Sequence, residues 1–220
     1  MKNKGISKGK ILSVVAALII LGVPLIVAIC ILKSNERYYN VPESIKDTER
    51  IYECDYHTVS LRTKITFKMD GEDYAITGNL ITFFTDPLKL EKNGKTVGYA
   101  SDKYHFIGQD DHVIVVDGKQ EISINGNFEL IGNSYELYNA SGTKAGYAEF
   151  GAFCTAGAIY DSKGTIVATY SSPLLFNDYT VKIYDNDICS DKAMLMIIAS
   201  YVSDYKADQR TSNNSHHNND

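Results

Sequence analysis

The segment Ala193-Met194-Leu195-Met196-Ile197-Ile198-Ala199-Ser200-Tyr201-Val202 is apolar on every face. Ten helical residues cover about 15 Å, half the thickness of a bilayer core. The segment is therefore too short to span a membrane, and a soluble helix that is apolar all round has to be surrounded by protein. A strand is the rival reading, but Ala, two Met and Leu, in an uninterrupted run, favour helix. Ser190 suits the N-cap and Asp191 the positive helix end, so a helix is predicted from there to about Tyr205. What precedes it reads almost entirely as strands, and those strands have to wrap it.

The strand signals are direct. Leu61, Thr63, Ile65, Phe67 and Met69 alternate with Arg62, Lys64, Thr66 and Lys68, the period of a half-buried strand. Asp70-Gly71 ends that run. Asn93-Gly94, Asp117-Gly118, Asn125-Gly126, Gly132-Asn133, Ser141-Gly142 and Lys163-Gly164 continue the turn chemistry. Regular spacing of this kind means an antiparallel sandwich or barrel, with about twelve strands expected from Ser60 to Ile183. Three stretches resemble one another: Leu90 to Tyr99 around Gly94, Leu137 to Tyr147 around Gly142, and Ile159 to Thr169 around Gly164. Each reads as strand, turn, glycine, strand, which suggests a sheet built by repeating one hairpin, though common hairpin chemistry alone also produces such likeness.

The front of the chain differs in kind. Ile11 to Leu32 holds no charged side chain and, as a helix, would reach about 33 Å, enough to cross a bilayer. Pro24 inside it is tolerated in membrane helices. Lys2, Lys4, Lys8 and Lys10 precede it and no acid does, so the positive-inside rule puts the N-terminus in the cytoplasm and the rest outside. The apolar run is too long for a typical signal peptide, and no A-x-A-like site follows before Lys33. Val27-Ala28-Ile29-Cys30 lacks the small residue a lipoprotein box needs at Ile29. The expected organisation is a basic cytoplasmic end at 1–10, a transmembrane signal anchor at 11–32, a linker at 33–57, a barrel at 58–208 and a disordered polar tail at 209–220.

The chain has 22 Lys and Arg, four of them before residue 11, and 27 Asp and Glu, all later. The body thus sets 18 bases against 27 acids, a net charge of −9. Such a body is a poor generic binder of nucleic acid or anionic lipid. Cys30 lies in the apolar run. Cys54, Cys154 and Cys189 leave two states open: a Cys54–Cys189 pair, or three free thiols.

The strand Tyr74-Ala-Ile-Thr-Gly78, the repeated turns of the form apolar-x-Asp/Asn-x-x-Gly-x-x-Val, and a last strand leading into an apolar C-terminal helix together resemble the LURP-one-related family. That family is similar to phospholipid scramblases and to the Tubby C-terminal domain. The resemblance spans roughly residues 58–205. It implies a mainly β fold: a twelve-stranded closed β-barrel enclosing a hydrophobic C-terminal helix. It does not imply a shared catalytic triad. The N-terminal anchor departs from the usual pattern of that family, and no Lys/Arg cluster matches the basic site with which Tubby domains hold phosphoinositides.

Asp185, Asp187 and Asp191 are the metal candidates. Their spacing is D-x-D-x-x-x-D before the last helix, and scramblases are similar in placing a calcium-binding segment there. The EF-hand glycine and Glu are absent, with Met196 at the twelfth place, and turn and capping duty explains all three acids. Asp110-Asp111-His112 reads as a polar hairpin tip, and His57 and His105 have no partner at ligand spacing. Asn93-Gly94-Lys95-Thr96 ends like a phosphate loop, but Lys89 stands where the first glycine belongs. No nucleophile elbow, zinc helix or dinucleotide fingerprint occurs. The expectation is a non-enzymatic, membrane-anchored barrel, without a cofactor, that binds a lipid, ligand or envelope protein partner. Scramblase-like lipid movement is the alternative, and a hydrolase with a non-contiguous site is the third reading.

Overall fold

The computed structural model describes residues 8–46, 48–59, 62–79, 88–103, 111–127, 133–151, 154–173 and 178–216. Helix α1 spans Lys8–Tyr39 and a short α2 spans Glu43–Lys46. Twelve strands follow: β1 Arg50–Val59, β2 Arg62–Met69, β3 Glu72–Asn79, β4 Leu88–Lys92, β5 Lys95–Lys103, β6 Asp111–Val116, β7 Lys119–Asn127, β8 Asn133–Asn139, β9 Lys144–Phe150, β10 Ala156–Asp161, β11 Ile166–Ser171 and β12 Tyr179–Ile183. Helix α3, Asp191–His216, ends the described chain. Each strand pairs antiparallel with its sequence neighbours, and β12 pairs with β1, closing the barrel.

Two-residue turns build one end of this barrel. Asp70-Gly71, Asn93-Gly94 and Asp117-Gly118 each put two successive residues at positive φ, between 49° and 78°. Such turns match the right-handed twist of the flanking strands. Longer turns through Gly142 and Gly164 lie at the same end, because every second connection of a meander does.

The repeat is deeper than three hairpins. The β4–β5, β6–β7, β8–β9 and β10–β11 pairs each carry a register shift directly after one apolar residue: Leu90, Ile114, Leu137 and Ile159. All four side chains are fully buried. A bulge adds local twist and bend, so the same device set four times around the ring promotes closure. Gly98 and Gly146 belong to this arrangement. A Cβ on Gly146 would lie 2.0 Å from the Tyr160 carbonyl oxygen, and one on Gly98 would lie 2.7 Å from that of Val115.

Alternation then fills the interior. Thr63, Ile65, Phe67 and Met69 of β2 point inward while Arg62, Lys64 and Lys68 face water. Every residue from Ala193 to Val202 is buried, none more than 4% exposed, and these side chains share one core with the inward faces of the strands. The apolar stretch of α3 from Ala193 to Val202 is thus enclosed on all sides, as its composition requires. Ser190 caps it: its backbone carbonyl accepts from the Met194 N–H at 3.0 Å and its Oγ from the Ala193 N–H at 3.3 Å. Glu121 of β7 accepts from both the N–H and the Oγ of Ser190, pinning the cap to the wall.

Several boundaries differ from those expected. β1 begins at Arg50, inside the stretch read as linker to residue 57, so only eleven strands fall between Ser60 and Ile183. Its inward residues are Tyr52, Cys54 and Tyr56, set between Glu53, Asp55 and His57, a mild contrast that periodicity registers weakly. Helix α3 continues to His216 through most of the segment read as a disordered tail. Cys54, Cys154 and Cys189 are all buried and form no disulfide, so Cys54 and Cys189 do not pair.

Helix α1 takes in the apolar run Ile11 to Leu32, and the side chains of residues 8–21 lie outside the described ones. Among the described residues, no helix is long and apolar enough to cross a membrane. The C-terminal part of α1 docks on the outside of the barrel. Ile31, Asn35 and Tyr38, one stripe at helical spacing, are buried. Tyr38 packs with Ala156, Ala158, Ile166 and Tyr184, flanked by Val41 and Ile45, in a second cluster on the outer wall. Asn35 Nδ2 donates to Thr155 Oγ1 at 2.7 Å. Gly151 admits this approach, since a Cβ there would lie 2.5 Å from Asn35 Oδ1.

Candidate functional site

The three candidate metal ligands do not converge. Asp191 is held by Arg50, whose Nε and Nη2 donate to its two oxygens at 2.7 and 3.0 Å, and by the Tyr52 hydroxyl at 2.6 Å. Asp185 Oδ1 accepts from the Asp187 N–H at 2.9 Å, an Asx turn. Asp187 faces solvent. Among the described residues, no three His, Cys, Asp or Glu side chains gather so that they could hold a metal ion. The calcium reading of Asp185, Asp187 and Asp191 therefore finds no support; Asp191 is a joint between β1 and α3. Burial, and then the Asp191 carboxylate that accepts its hydrogen bond, push the Tyr52 hydroxyl well above the usual phenol range.

The other titratable candidates also sit in structural places. His112 is in β6 and buried, facing α3 beside Ile124, Ile197, Ser200 and Tyr201, not at a polar hairpin tip. The signal available for this is its parity: His112 falls two and four residues before the core residues Ile114 and Val116. His57 is exposed on the outer face of β1, and Asp110 and His105 lie outside the described residues. The Cys54 thiol is pushed up to about 12 by burial, and burial raises Cys189 further. Neither supplies a thiolate near neutral pH.

Among the described residues the interior is filled by α3, leaving beside it a cavity of only about 10 Å³ next to His112 and Tyr201. A groove of about 710 Å³ lies on the outer wall across β1 to β4. Its floor is low because outward positions there are small: Thr66 and Ala75, opposite one another in the β2–β3 register. Glu53, Asp55, Asp73 and Glu91 border it, against Lys64 and Lys68, so acids outnumber bases four to two. Lys68 lies 3.7 Å from Asp73. Thr180 donates to Glu53 at 2.9 Å, and Thr77 to Glu91 at 3.4 Å. Ile51, 53% exposed, adds one apolar contact at the rim.

Chemically, this arrangement suits recognition. Carboxylates flanking a shallow floor accept hydrogen bonds from a cationic or amino-bearing ligand, and the exposed isoleucine covers an apolar portion. No hydroxyl or thiol in the groove has a His beside it to act as base. Sequence reading did not single out these residues. They belong to four strands and become neighbours only through barrel register, and each alone is an ordinary exposed charge. Comparisons with protein-family models, with curated proteins and with solved structures found no match to this chain.

Proposed function

We propose that this chain is a single-pass, membrane-anchored barrel that works by binding a partner on its outer wall and not by catalysis. The observation that carries the reading is the filled interior: ten successive buried residues of α3 leave no lumen for a substrate. Binding falls to the outer surface, where the acidic groove of β1 to β4 offers a concavity of about 710 Å³. The apolar run Ile11 to Leu32, with Lys2, Lys4, Lys8 and Lys10 before it, supports an anchor in the cell membrane with the N-terminus cytoplasmic and the barrel outside. The likeness to LURP-one-related and Tubby C-terminal-like barrels is part of the same proposal, supported by strand number, closure and the enclosed helix.

Scramblase-like lipid movement would need α3 to leave the barrel. Its buried apolar stretch, Ala193 to Val202, reaches only about 15 Å, half a bilayer core, so it could not span the membrane once out. The proposal is tested on the full chain in membranes. Alkaline carbonate should leave it in the pellet. Immobilised protein should then capture basic peptides or polyamine-bearing envelope fragments, with the double change Glu53→Lys and Glu91→Lys reducing capture at least tenfold. Extraction by carbonate would remove the anchor, and capture indifferent to both changes would remove the groove.

A further inference from the structure

One polar contact couples the outside of the barrel to its core. On the outer wall, Asn35 of α1 is only 3% exposed, and its Nδ2 donates to Thr155 Oγ1 at 2.7 Å. Its Oδ1 is buried as well and has no hydrogen-bond partner among the described residues. Beside it Tyr38 is fully buried against Ala156, Ala158, Ile166 and Tyr184. The backbone then hands over from outside to inside within a few residues. Ala156 belongs to the outer cluster, whereas Cys154 belongs to the inner core. The reversal is made at Cys154, whose φ of 53° lies in the left-handed region that a residue with a Cβ seldom adopts. Inside, the Tyr170 hydroxyl donates to the Cys154 carbonyl at 2.8 Å and lies 3.3 Å from its Sγ. The Tyr170 ring meets Phe150 edge-on, with centroids 6.2 Å apart, and Phe150 stacks on Tyr201 of α3 at 3.7 Å. Contacts thus run without a gap from the outer helix to the enclosed one.

The α1 end of this route is the weaker one. A buried acceptor left without a donor costs free energy that a released Asn35 recovers from water. A strained backbone persists only where its surroundings over-determine it, and at Cys154 one of those surroundings is the α1 contact on Thr155. The fit against the wall is also close: a Cβ on Gly151 would lie 2.5 Å from Asn35 Oδ1 and 3.1 Å from Tyr38 Cε2. We propose that the docked part of α1 is a releasable strap: Asn35 and Tyr38 leave the wall while the barrel stays folded, and their release lets the backbone at Cys154 relax and uncovers its thiol. The same helix continues into the apolar run Ile11 to Leu32, so the strap joins whatever that run engages to the packing around α3. The strap does not depend on what the run enters, and its test is separate from those of the anchor and the groove.

The test uses the full chain with Cys30→Ala in mild detergent, labelled briefly with a maleimide at pH 7.5 and mapped by peptide mass. Asn35→Ala removes the bond to Thr155 from the helix side, and Gly151→Ala wedges the helix away from the barrel side. Each should raise the labelling rate of Cys154 about tenfold or more over the parent, while Cys54 and Cys189 stay protected. Both changes act at one contact, so the pair should exceed the larger single effect by less than about twofold. Hydrogen exchange of the parent gives a second reading that needs no variant. The amides of Gly151 and Ser172, which donate to the carbonyls of Ala156 and Thr155, should exchange faster than those of Ile65 and Ile76 in β2 and β3. Cys154 labelling unchanged in both variants, all three thiols labelling together, effects that multiply in the pair, or equal exchange at the two sets of amides would each overturn the strap.

Discussion

The enclosed helix makes a prediction that separates it from any surface helix. Successive α-helical residues point about 100° apart, so Met194, Leu195, Met196 and Ile197 sample every side of α3 in one turn. All four are buried, at 0, 1, 0 and 2% exposure. Truncation to alanine at each should therefore cost about 2–5 kcal/mol, the transfer term plus the cavity left in a core with strands on every side. For a barrel of this size each kcal/mol lowers the melting temperature by about 2–4 °C, so each variant should melt roughly 4–20 °C below the parent. The assay is thermal and urea unfolding of the full chain in mild detergent, with ellipticity and tyrosine fluorescence as parallel probes. A helix on an outer surface would spare its solvent side. If any two of the four variants, more than 90° apart in projection from the rest, fell within about 0.5 kcal/mol of the parent, the enclosed helix would be refuted.

Other expectations follow from single contacts. Gly146→Ala places a methyl 2.0 Å from the Tyr160 oxygen and should cost at least about 1–3 kcal/mol in urea unfolding, while Gly71→Asn, at a left-handed turn position with nothing near its Cβ, should change the midpoint little. Asp191→Asn keeps an acceptor for Tyr52 but loses the charge facing Arg50; the expected loss is about 1–2 kcal/mol, at the low end for charge-assisted bonds because Arg50 is partly exposed. Burial raises the Cys54 thiol from 9.0 to about 12 and raises the Tyr170 and Tyr179 hydroxyls above their ordinary range. Groups raised on folding stabilise fully below their unfolded pKa, so the urea midpoint should be flat near neutrality and fall from about pH 9 toward 12; Cys54→Ala should flatten that fall, and a midpoint unchanged up to pH 11 would contradict the assignment. A maleimide at pH 7.5 should leave Cys54, Cys154 and Cys189 unmodified until urea is added, as read by intact mass.

How much of this was legible in the chain depends on the reach of each signal. The wrapped helix was legible because composition alone excludes water on any of its sides. The hairpins were legible because a left-handed pair of turn residues has few solutions, and Asp-Gly or Asn-Gly is one. β1 was missed because its inward residues are Tyr52, Cys54 and Tyr56, which are amphipathic or small, so the contrast with Glu53 and Asp55 is mild. The fourth repeat was missed because Ile114 is followed by Val115-Val116, and a continuous apolar run hides the bulge that register reveals. The docking stripe of α1 sits among Ser34, Glu36 and Arg37, where the sequence reads as a solvated linker. Its buried Asn35 is specified by what Gly151 and Thr155 leave open across more than a hundred residues, a relation no local pattern carries.

The architecture divides its labour around the ring. Closure removes every sheet edge, and α3 removes the lumen, so neither offers the usual places for a ligand. One wall is taken by α1, which lies over β10 and its neighbours. In the ring order, β2 and β3 stand well across from β10, with β1, β12 and β11 between on the shorter path. The groove of β1 to β4 is thus on the wall that the docked helix leaves bare. Inward residues on those strands are constrained by packing against α3; outward ones carry no such load, and small side chains at Thr66 and Ala75 cost the fold nothing while deepening the groove. A partner bound there, as proposed above, would meet a wall built from paired strands whose backbone is already ordered, so little of its binding energy would go into arranging the surface.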